Sequence, residues 1–161
     1  MDTQRLLAAV KDMPLNEIYA FAIERERDAQ AFYRTAQTLV KDPGGKAMLG
    51  DLYQEEVAHE TMLVRAQTEG KFEFIGVPRG FADLGLAEFM PDIRVTAAST
   101  VQETLMAAIK KEAFAVSFYA AAGGLTADPV AQALFDRLAH EERQHKNMLE
   151  TWYDDHILTT N

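Results

Sequence analysis

Four stretches of the chain place apolar residues at alternating spacings of three and four, which is the period of an α-helix with one buried face. Turn and capping residues separate them, notably Asp followed by Pro at two helix starts and paired glycines at one helix end. The predicted helices are approximately Pro14–Val40, Asp42–Gln67, Thr100–Gly124 and Asp128 to beyond Trp152. Because the turn within each pair is short, each pair is predicted to be antiparallel.

The second pair of helices repeats the sequence of the first pair. A shift of 86 residues superposes Ala22–Leu63 on Ala108–Leu149 without a gap, and many identities fall on charged and aromatic positions. The whole repeat covers about residues 16–67 and 100–154. We interpret the two copies as two helix pairs within a single domain over residues 1–161.

Residues 68–99 connect the two copies and are rich in Gly, Pro and Phe. A connection of this length fits a crossover that runs along the whole bundle. We predict a short helix within it at about Phe81–Phe89 and another near the N-terminus at Thr3–Val10. The predicted fold class is all-α: a four-helix bundle made of two antiparallel helix pairs joined by a long crossover.

Ionisable residues interrupt the middle of each apolar stripe. The first and third helices each contribute one glutamate, and the second and fourth each contribute a Glu-x-x-His pair with both side chains on one helix face. These six residues are Glu26, Glu56, His59, Glu112, Glu142 and His145. Their distances from the turns, at about 1.5 Å per residue, bring them to one level of the bundle.

Four carboxylates at one level of a core repel each other, and each is costly to bury without a partner. No Lys or Arg lies on the four stripes to neutralise them. Two divalent cations would balance the four carboxylates and leave both imidazoles neutral. Oxygen and imidazole ligands without sulfur suit iron or manganese, and zinc is compatible. The stripes therefore predict a buried site for two metal ions, with iron as the expected metal.

The composition narrows the remaining possibilities. The absence of cysteine excludes disulfides, zinc–thiolate sites and iron–sulfur clusters within this sequence. A formal net charge of −9 disfavours nucleic acid and anionic lipid as partners. No apolar run is long enough to span a bilayer, and residues 1–5 lack the apolar core of a secretory signal. We expect a soluble, cytoplasmic protein without nucleic-acid or membrane partners.

These residues also resemble a known family, the rubrerythrins. The segment Glu26–Tyr33, followed by Glu56–His59, is similar to the first half of a rubrerythrin. The segment Glu112–Tyr119, followed by Glu141–His145, is similar to the second half. The resemblance covers both copies of the repeat, and it implies a ferritin-like four-helix bundle that holds a di-iron centre.

The resemblance further implies a role for each residue of this centre. By this resemblance, Glu56 and Glu142 bridge the two ions, and Glu26 and Glu112 each bind one ion. His59 and His145 complete the ligand set, and Tyr33 and Tyr119 hydrogen-bond ligand carboxylates from across the bundle.

The chain departs from the rubrerythrin pattern in two respects. Rubrerythrins usually carry an extra glutamate one turn after the ligand of the third helix, where it takes part in a redox-linked shift of one iron. This chain has Ala115 at that position. The rubredoxin domain usual in the family is also missing from the sequence, so we expect electrons to come from a separate donor.

The resemblance favours an oxidoreductase that reduces hydrogen peroxide or dioxygen with electrons from an external donor. Two alternatives stay open. One is a ferroxidase or iron-handling protein of the ferritin-like type, and the other is a structural divalent-metal site without redox turnover. We also expect a homodimer, because bundles of this kind often dimerise.

Other charged residues near the stripes are interpreted as supporting or exposed. Glu55 and Glu141 also repeat, but each lies about 100° around the helix from its neighbouring ligand, so we interpret both as surface or supporting residues. His140 and His156 lie off the stripes and are expected to be exposed. The charged run Glu24–Arg27 is expected to be a solvated face.

Overall fold

The computed structural model describes residues 3–70 and 94–160, which form five α-helices and a final 3-10 turn. In chain order these elements are α1 (Thr3–Lys11), α2 (Leu15–Leu39), α3 (Pro43–Glu69), α4 (Val101–Leu125), α5 (Pro129–His156) and the turn Leu158–Thr160. The described ranges contain no strand, so the all-α prediction is confirmed. The short helix predicted at Thr3–Val10 is present as α1, whereas the one predicted at Phe81–Phe89 lies outside the described residues.

Side-chain caps fix where three of the long helices begin. The Asp42 carboxylate accepts a hydrogen bond from the Gly45 amide at 2.7 Å, and the Asp128 carboxylate accepts one from the Ala131 amide at 2.8 Å. Both helices have Pro in their first turn, where no amide hydrogen is needed. At the start of α4, Thr100 forms the predicted capping box. These caps explain why the sequence placed the starts within a residue or so.

Contacts at both ends of α2 show that it runs antiparallel to α3. The Gln67 amide donates to the Asn16 side chain at 3.1 Å near the start of α2, and the Gln37 amide donates to the Lys46 carbonyl at 3.0 Å near its end. The same relation holds for α4 and α5, because Gln102 near the start of α4 donates to Tyr153 near the end of α5 at 2.8 Å.

The two helix pairs also face each other in an antiparallel sense. Tyr33 of α2 contacts Glu112 of α4, whereas Tyr119, further along α4, contacts Glu26, earlier in α2. Helix α3 therefore ends at one end of the bundle and α4 begins at the opposite end, as a crossover between the pairs requires. Residues 71–93 of this connection lie outside the described residues.

Two apolar clusters occupy opposite halves of the bundle, on either side of a polar middle layer. The first includes Ile18, Leu63, Phe118, Phe135 and Leu138, and α1 packs on it through Leu6 and Val10. The second includes Val40, Leu49, Leu52, Leu105 and Leu149. Along each long helix, the ionisable residues lie between the parts that enter these two clusters. Among the helices of the described ranges, none combines the length and the apolarity needed to cross a bilayer.

Replacing Gly45 by alanine is expected to destabilise the metal-free bundle by about 1–3 kcal/mol, because the change overpacks the second cluster. The added Cβ would lie 2.7 Å from Val40 Cγ1 and 2.9 Å from a ring carbon of Trp152. Gly124→Ala is the matched control: nothing lies within 4 Å of its added Cβ, and alanine favours a helix over glycine by about 1 kcal/mol. Urea denaturation followed by circular dichroism measures both, and equal stabilisation by the two changes would contradict the packing at Gly45.

Candidate metal centre

The middle layer of the bundle consists of buried ionisable side chains. One glutamate enters it from α2 and one from α4, whereas α3 and α5 each supply a glutamate and a histidine one turn apart. Each residue is at most 5% exposed, and the six residues are Glu26, Glu56, His59, Glu112, Glu142 and His145. The structure thus brings together all six residues that the sequence selected.

These residues form two overlapping groups, in each of which one nitrogen or oxygen atom per residue lies within 4.8 Å of the others. The groups are Glu26, Glu56, His59 and Glu142, and Glu56, Glu112, Glu142 and His145. Glu56 and Glu142 belong to both groups and are called the shared glutamates below. Glu26 and Glu112 belong to one group each and are called the outer glutamates. Each group could hold a metal ion through four buried side chains.

Both histidines direct Nδ1 toward the carboxylates. His59 Nδ1 lies 2.9 Å from Glu142 Oε1, 3.3 Å from Glu56 Oε2 and 3.7 Å from the outer glutamate of its group. His145 Nδ1 lies 3.1 Å from Glu142 Oε2, 3.3 Å from Glu56 Oε1 and 3.9 Å from the outer glutamate of its group. Because three carboxylates surround this nitrogen in each group, Nδ1 is the atom placed to bind a metal.

Each outer glutamate accepts a hydrogen bond from a tyrosine of the other repeat copy. The Tyr33 hydroxyl donates to Glu112 Oε1, and the Tyr119 hydroxyl donates to Glu26 Oε1. Both tyrosines are almost fully buried. These hydrogen bonds agree with those that the family resemblance implied. They fix one oxygen of each outer carboxylate and leave the second oxygen for a metal.

Glu141 contacts the Nε2 atom of the His59 ring, on the side opposite the Nδ1 atom that faces the central glutamates. Its Oε2 lies 2.9 Å from His59 Nε2, and its Oε1 accepts a hydrogen bond from Arg137 Nε at 3.0 Å. An imidazole that donates from Nε2 to a carboxylate keeps the Nδ1 lone pair for a metal. Glu55, the repeat partner of Glu141, is exposed, and one of its oxygens lies within 4.8 Å of a nitrogen of His59 and of His145. Of the two glutamates interpreted as surface or supporting residues, Glu141 thus supports a histidine of the centre and Glu55 is exposed at the surface.

The four carboxyl groups differ in their affinity for protons. Burial raises the pKa of Glu26 well above the usual range, and the neighbouring Glu56 carboxylate raises it further. Burial likewise raises the pKa of Glu112, together with repulsion from Glu142. Burial also opposes ionisation of the shared glutamates, but hydrogen bonds from the outer carboxyls and the imidazoles outweigh it and lower both pKa values.

Both imidazoles are protonated in the metal-free centre. Burial alone would lower the pKa of His145, but its contacts with the shared glutamates raise it to about 9. The pKa of His59 is raised well above the ordinary value by the same kind of contact, against the effect of burial. These directions favour imidazolium on both histidines, ionised shared glutamates and protonated outer glutamates. In that state, four protons balance the charge of the buried layer.

The donor set fits a pair of divalent cations. Within the described part of the chain, Glu56 Oε1 is buried and accepts no hydrogen bond, although His145 Nδ1 is 3.3 Å away. An unsatisfied buried acceptor is unfavourable, and a bound cation would satisfy it. Two divalent ions in place of the four protons would leave four carboxylates and two neutral imidazoles, so the charge balance would be kept. Carboxylate oxygen with imidazole nitrogen suits iron or manganese, and also zinc.

A narrow cleft between α2 and α4 reaches this layer. Its volume is about 50 Å³, and its lining includes all four glutamates and both tyrosines of the centre. Two alanines, Ala29 and Ala115, also line it, together with the charged side chains of Arg25, Asp28 and Lys111. A cavity of this size admits a molecule a little larger than water.

The expectation that Glu24–Arg27 forms a solvated face is wrong for two of its residues. Glu26 is buried in the centre, and the Arg25 side chain is only 19% exposed because it packs over the Phe21 ring at 5.4 Å. The ends of the run are exposed as expected. His140 and His156 are exposed, as predicted.

Two cleft residues that the sequence reasoning missed carry a signal in the repeat. Arg25 directly precedes one outer glutamate, and Lys111 directly precedes the other. A cation therefore repeats at the same position of both copies, next to a ligand-type residue. This coincidence could have marked both cations as part of the site before the structure was known.

Fold and site together define an all-helical bundle with a buried carboxylate–histidine centre that could hold metal. No protein-family model matches the chain, and no curated protein matches it. The fold is similar to that of a hypothetical protein from Pyrococcus furiosus, with a TM-score of 0.73 and 23% sequence identity over 89% of this chain and 90% of that chain. At this level of identity the similarity supports the fold alone.

Metal affinity is expected to rise with pH between about pH 6 and about pH 9, because metal must displace protons from the outer glutamates and both histidines. The pKa of His145 is about 9, and the pKa values of the other three groups are raised. Filling the centre with metal ions should therefore release protons. Calorimetric titration in buffers of different ionisation enthalpy counts these protons. Affinity that does not change between pH 6 and about pH 9 would contradict the protonation pattern.

Glu141→Ala is expected to weaken metal binding about 10–100-fold, because His59 loses the carboxylate that orients its ring. Glu150→Ala is the matched control, since Glu150 lies on the same helix and, among the described residues, pairs with Lys146 at 2.7 Å. Competition with a chromogenic chelator measures both affinities. If the two variants bind metal equally well, Glu141 does not support the centre.

Proposed function

We propose that the chain is a di-iron oxidoreductase of the rubrerythrin type, which reduces hydrogen peroxide or dioxygen with electrons from an external donor. The observation that carries this proposal is the overlap of the two buried groups at Glu56 and Glu142. Two carboxylates common to both groups would hold two ions side by side. One glutamate from each of two helices, with a Glu-x-x-His pair from each of the other two, is the ligand pattern of bundle proteins that bind two iron or manganese ions.

A pair of bound iron ions would supply two electrons by changing from ferrous to ferric. Reduction of one hydrogen peroxide breaks the O–O bond and consumes two electrons and two protons to give two water molecules. A separate reductant then has to return the two electrons. Zinc could occupy the same ligands but supplies no electrons, so the proposed activity requires iron or manganese.

The chain's own residues position and enclose this chemistry. Tyr33 and Tyr119 hold the outer glutamates through hydrogen bonds, and Glu141 holds His59. The cleft of about 50 Å³ is far smaller than the pockets of several hundred Å³ that take organic ligands. A substrate of two oxygen atoms therefore fits the site, and a sugar, nucleotide or amino acid does not.

One observation favours a second candidate, a ferroxidase or iron-handling protein. Ala115 occupies the position where rubrerythrins usually have the extra glutamate, and its side chain lines the cleft without offering a ligand. Without that glutamate, the redox-linked shift of one iron would have no ligand to move toward. The ions would then keep one fixed ligand set, which is compatible with oxidation of ferrous iron by dioxygen as well as with peroxide reduction.

An anaerobic titration of metal-free protein with ferrous iron tests the proposal. We expect saturation at about two irons per chain, followed by faster oxidation of the bound iron by hydrogen peroxide than by dioxygen in stopped-flow absorption. Faster reaction with dioxygen, with continued uptake of ferrous iron, would indicate the ferroxidase instead. Stoichiometric binding of metal with no reaction toward either oxidant would leave a structural site.

Glu56→Ala is expected to abolish binding of both irons, because the shared carboxylate serves both groups. Glu60→Ala, one turn further along α3, is the matched control, since Glu60 contacts Arg27 and Gln30 outside the centre. Iron stoichiometry by colorimetric assay and helix content by circular dichroism are measured for both variants. Two irons per chain in a folded Glu56 variant would rule out the shared role of Glu56.

A further inference from the structure

The cleft between α2 and α4 has an approximate two-fold arrangement that follows the sequence repeat. Each copy supplies a cation immediately before the outer glutamate and an alanine three residues after it. In the first copy these residues are Arg25 and Ala29, and in the second they are Lys111 and Ala115. The cleft is therefore built from equivalent positions of both copies and ends on the metal-facing carboxylates.

The two alanines limit the size of what can pass. Both are half-buried and line the cleft together with the glutamates of the centre. A larger side chain at either position would extend into a space of only about 50 Å³. Because each alanine lies on the same helix face as an outer glutamate, an enlarged side chain would fill the path to the ions while leaving the ligands in place.

The charges along the cleft differ in sign from those of the chain as a whole. The chain carries a formal net charge of −9, yet the cleft is lined by two cations and one exposed anion outside the centre. Arg25 is paired with Asp28 at 2.9 Å. The Lys111 ammonium instead lies 5.2 Å from the centre of the Phe32 ring, and it forms no ion pair with the described residues. Lys111 is thus the cation available to an incoming anion.

We propose that this cleft is the entry port for molecules of two or three heavy atoms, with Ala29 and Ala115 limiting their size and Lys111 attracting those that are monoanions, such as azide. With the centre neutralised by two divalent ions, the remaining charge along the path is positive, and an anion is drawn inward. The inference deepens the proposed function and needs metal at the centre, but it does not need redox turnover.

Azide binding to the cobalt-loaded protein tests the size limit. Stopped-flow absorption follows the change in the cobalt spectrum, and the cobalt stoichiometry of each variant is measured first. We expect Ala115→Leu to slow azide association about tenfold or more, and Ala29→Leu provides a second variant should the first not fold. Ala113→Leu is the matched control, because Ala113 is half-buried on the same helix but does not line the cleft. Unchanged azide rates in folded, cobalt-loaded cleft variants would overturn the proposal.

The charge is tested with Lys111→Glu against Lys110→Glu, which makes the same change of charge at the neighbouring, exposed position. We expect Lys111→Glu to slow azide association about tenfold at low salt, because electrostatic steering contributes factors of this order. The difference should shrink at about 1 M salt, where the screening length falls to about 3 Å. Equal rates in the two variants at low salt would overturn the role of Lys111.

The outcomes separate the port from the proposed function. Slower azide binding in the cleft variants, with no reaction of the iron-loaded protein toward peroxide or dioxygen, would support the port and reject the oxidoreductase. If the iron-loaded protein reduces peroxide but the cleft variants bind azide at unchanged rates, the oxidoreductase is supported and the port is rejected. Failure of the wild-type chain to bind cobalt and iron would reject both.

Discussion

The buried layer of four glutamates and two histidines is the constraint on which the rest of this structure depends. Four carboxylates brought to one level of an apolar core cannot all be ionised without partners, because their repulsion adds to the cost of removing each from water. In the metal-free chain, the pKa values of the outer glutamates and of both histidines are raised, so these groups hold protons more strongly than they would in water. Two divalent cations would meet the same constraint equally well, so the protonated layer is electrostatically prepared for metal.

The two apolar clusters hold this layer in place from both sides. Each long helix contributes apolar side chains above and below its ionisable residues, so the carboxylates cannot move toward solvent without disrupting a cluster. The tyrosine hydrogen bonds cross from one repeat copy to the other and tie the outer glutamates to the opposite helix. Close packing at Gly45, where α3 contacts Val40 and Trp152, fixes the far end of the first helix pair. The rigidity of the centre therefore comes from the packing of all four helices.

The opening that leads to the buried layer determines which molecules can reach it. The cleft between α2 and α4 has a volume of about 50 Å³, and its lining includes the small side chains of Ala29 and Ala115. A cleft of this size suits diatomic or triatomic molecules. Ala115 lines this cleft and offers no ligand to the centre, so access and ligand number are linked through one residue.

Much of the fold and of the candidate site could be predicted from the sequence because both depend on local helix geometry. The spacing of apolar residues determines which face of each helix is buried. Because the two copies repeat the same spacing, the ionisable residues of both copies lie at one level of the bundle. The positions of Glu26, Glu56 and His59, with their counterparts in the second copy, follow from the rise per residue alone. The caps at Asp42 and Asp128 are likewise local, which is why the helix starts were predicted closely.

The contacts between side chains of different helices depend on how one helix is rotated against another, and only the tertiary structure decided them. The sequence treated Glu55 and Glu141 alike, but only Glu141 lies within hydrogen-bond distance of a ring nitrogen across the bundle, at His59 Nε2. It also placed Arg25 in solvent, whereas this side chain lies over the Phe21 ring and lines a cleft that residues of α4 complete. The sequence by itself determined which residues the core must accommodate, because periodicity and charge are properties of single helices. Which side chain supports which ligand, and where the centre opens, was decided only when neighbouring helices packed together.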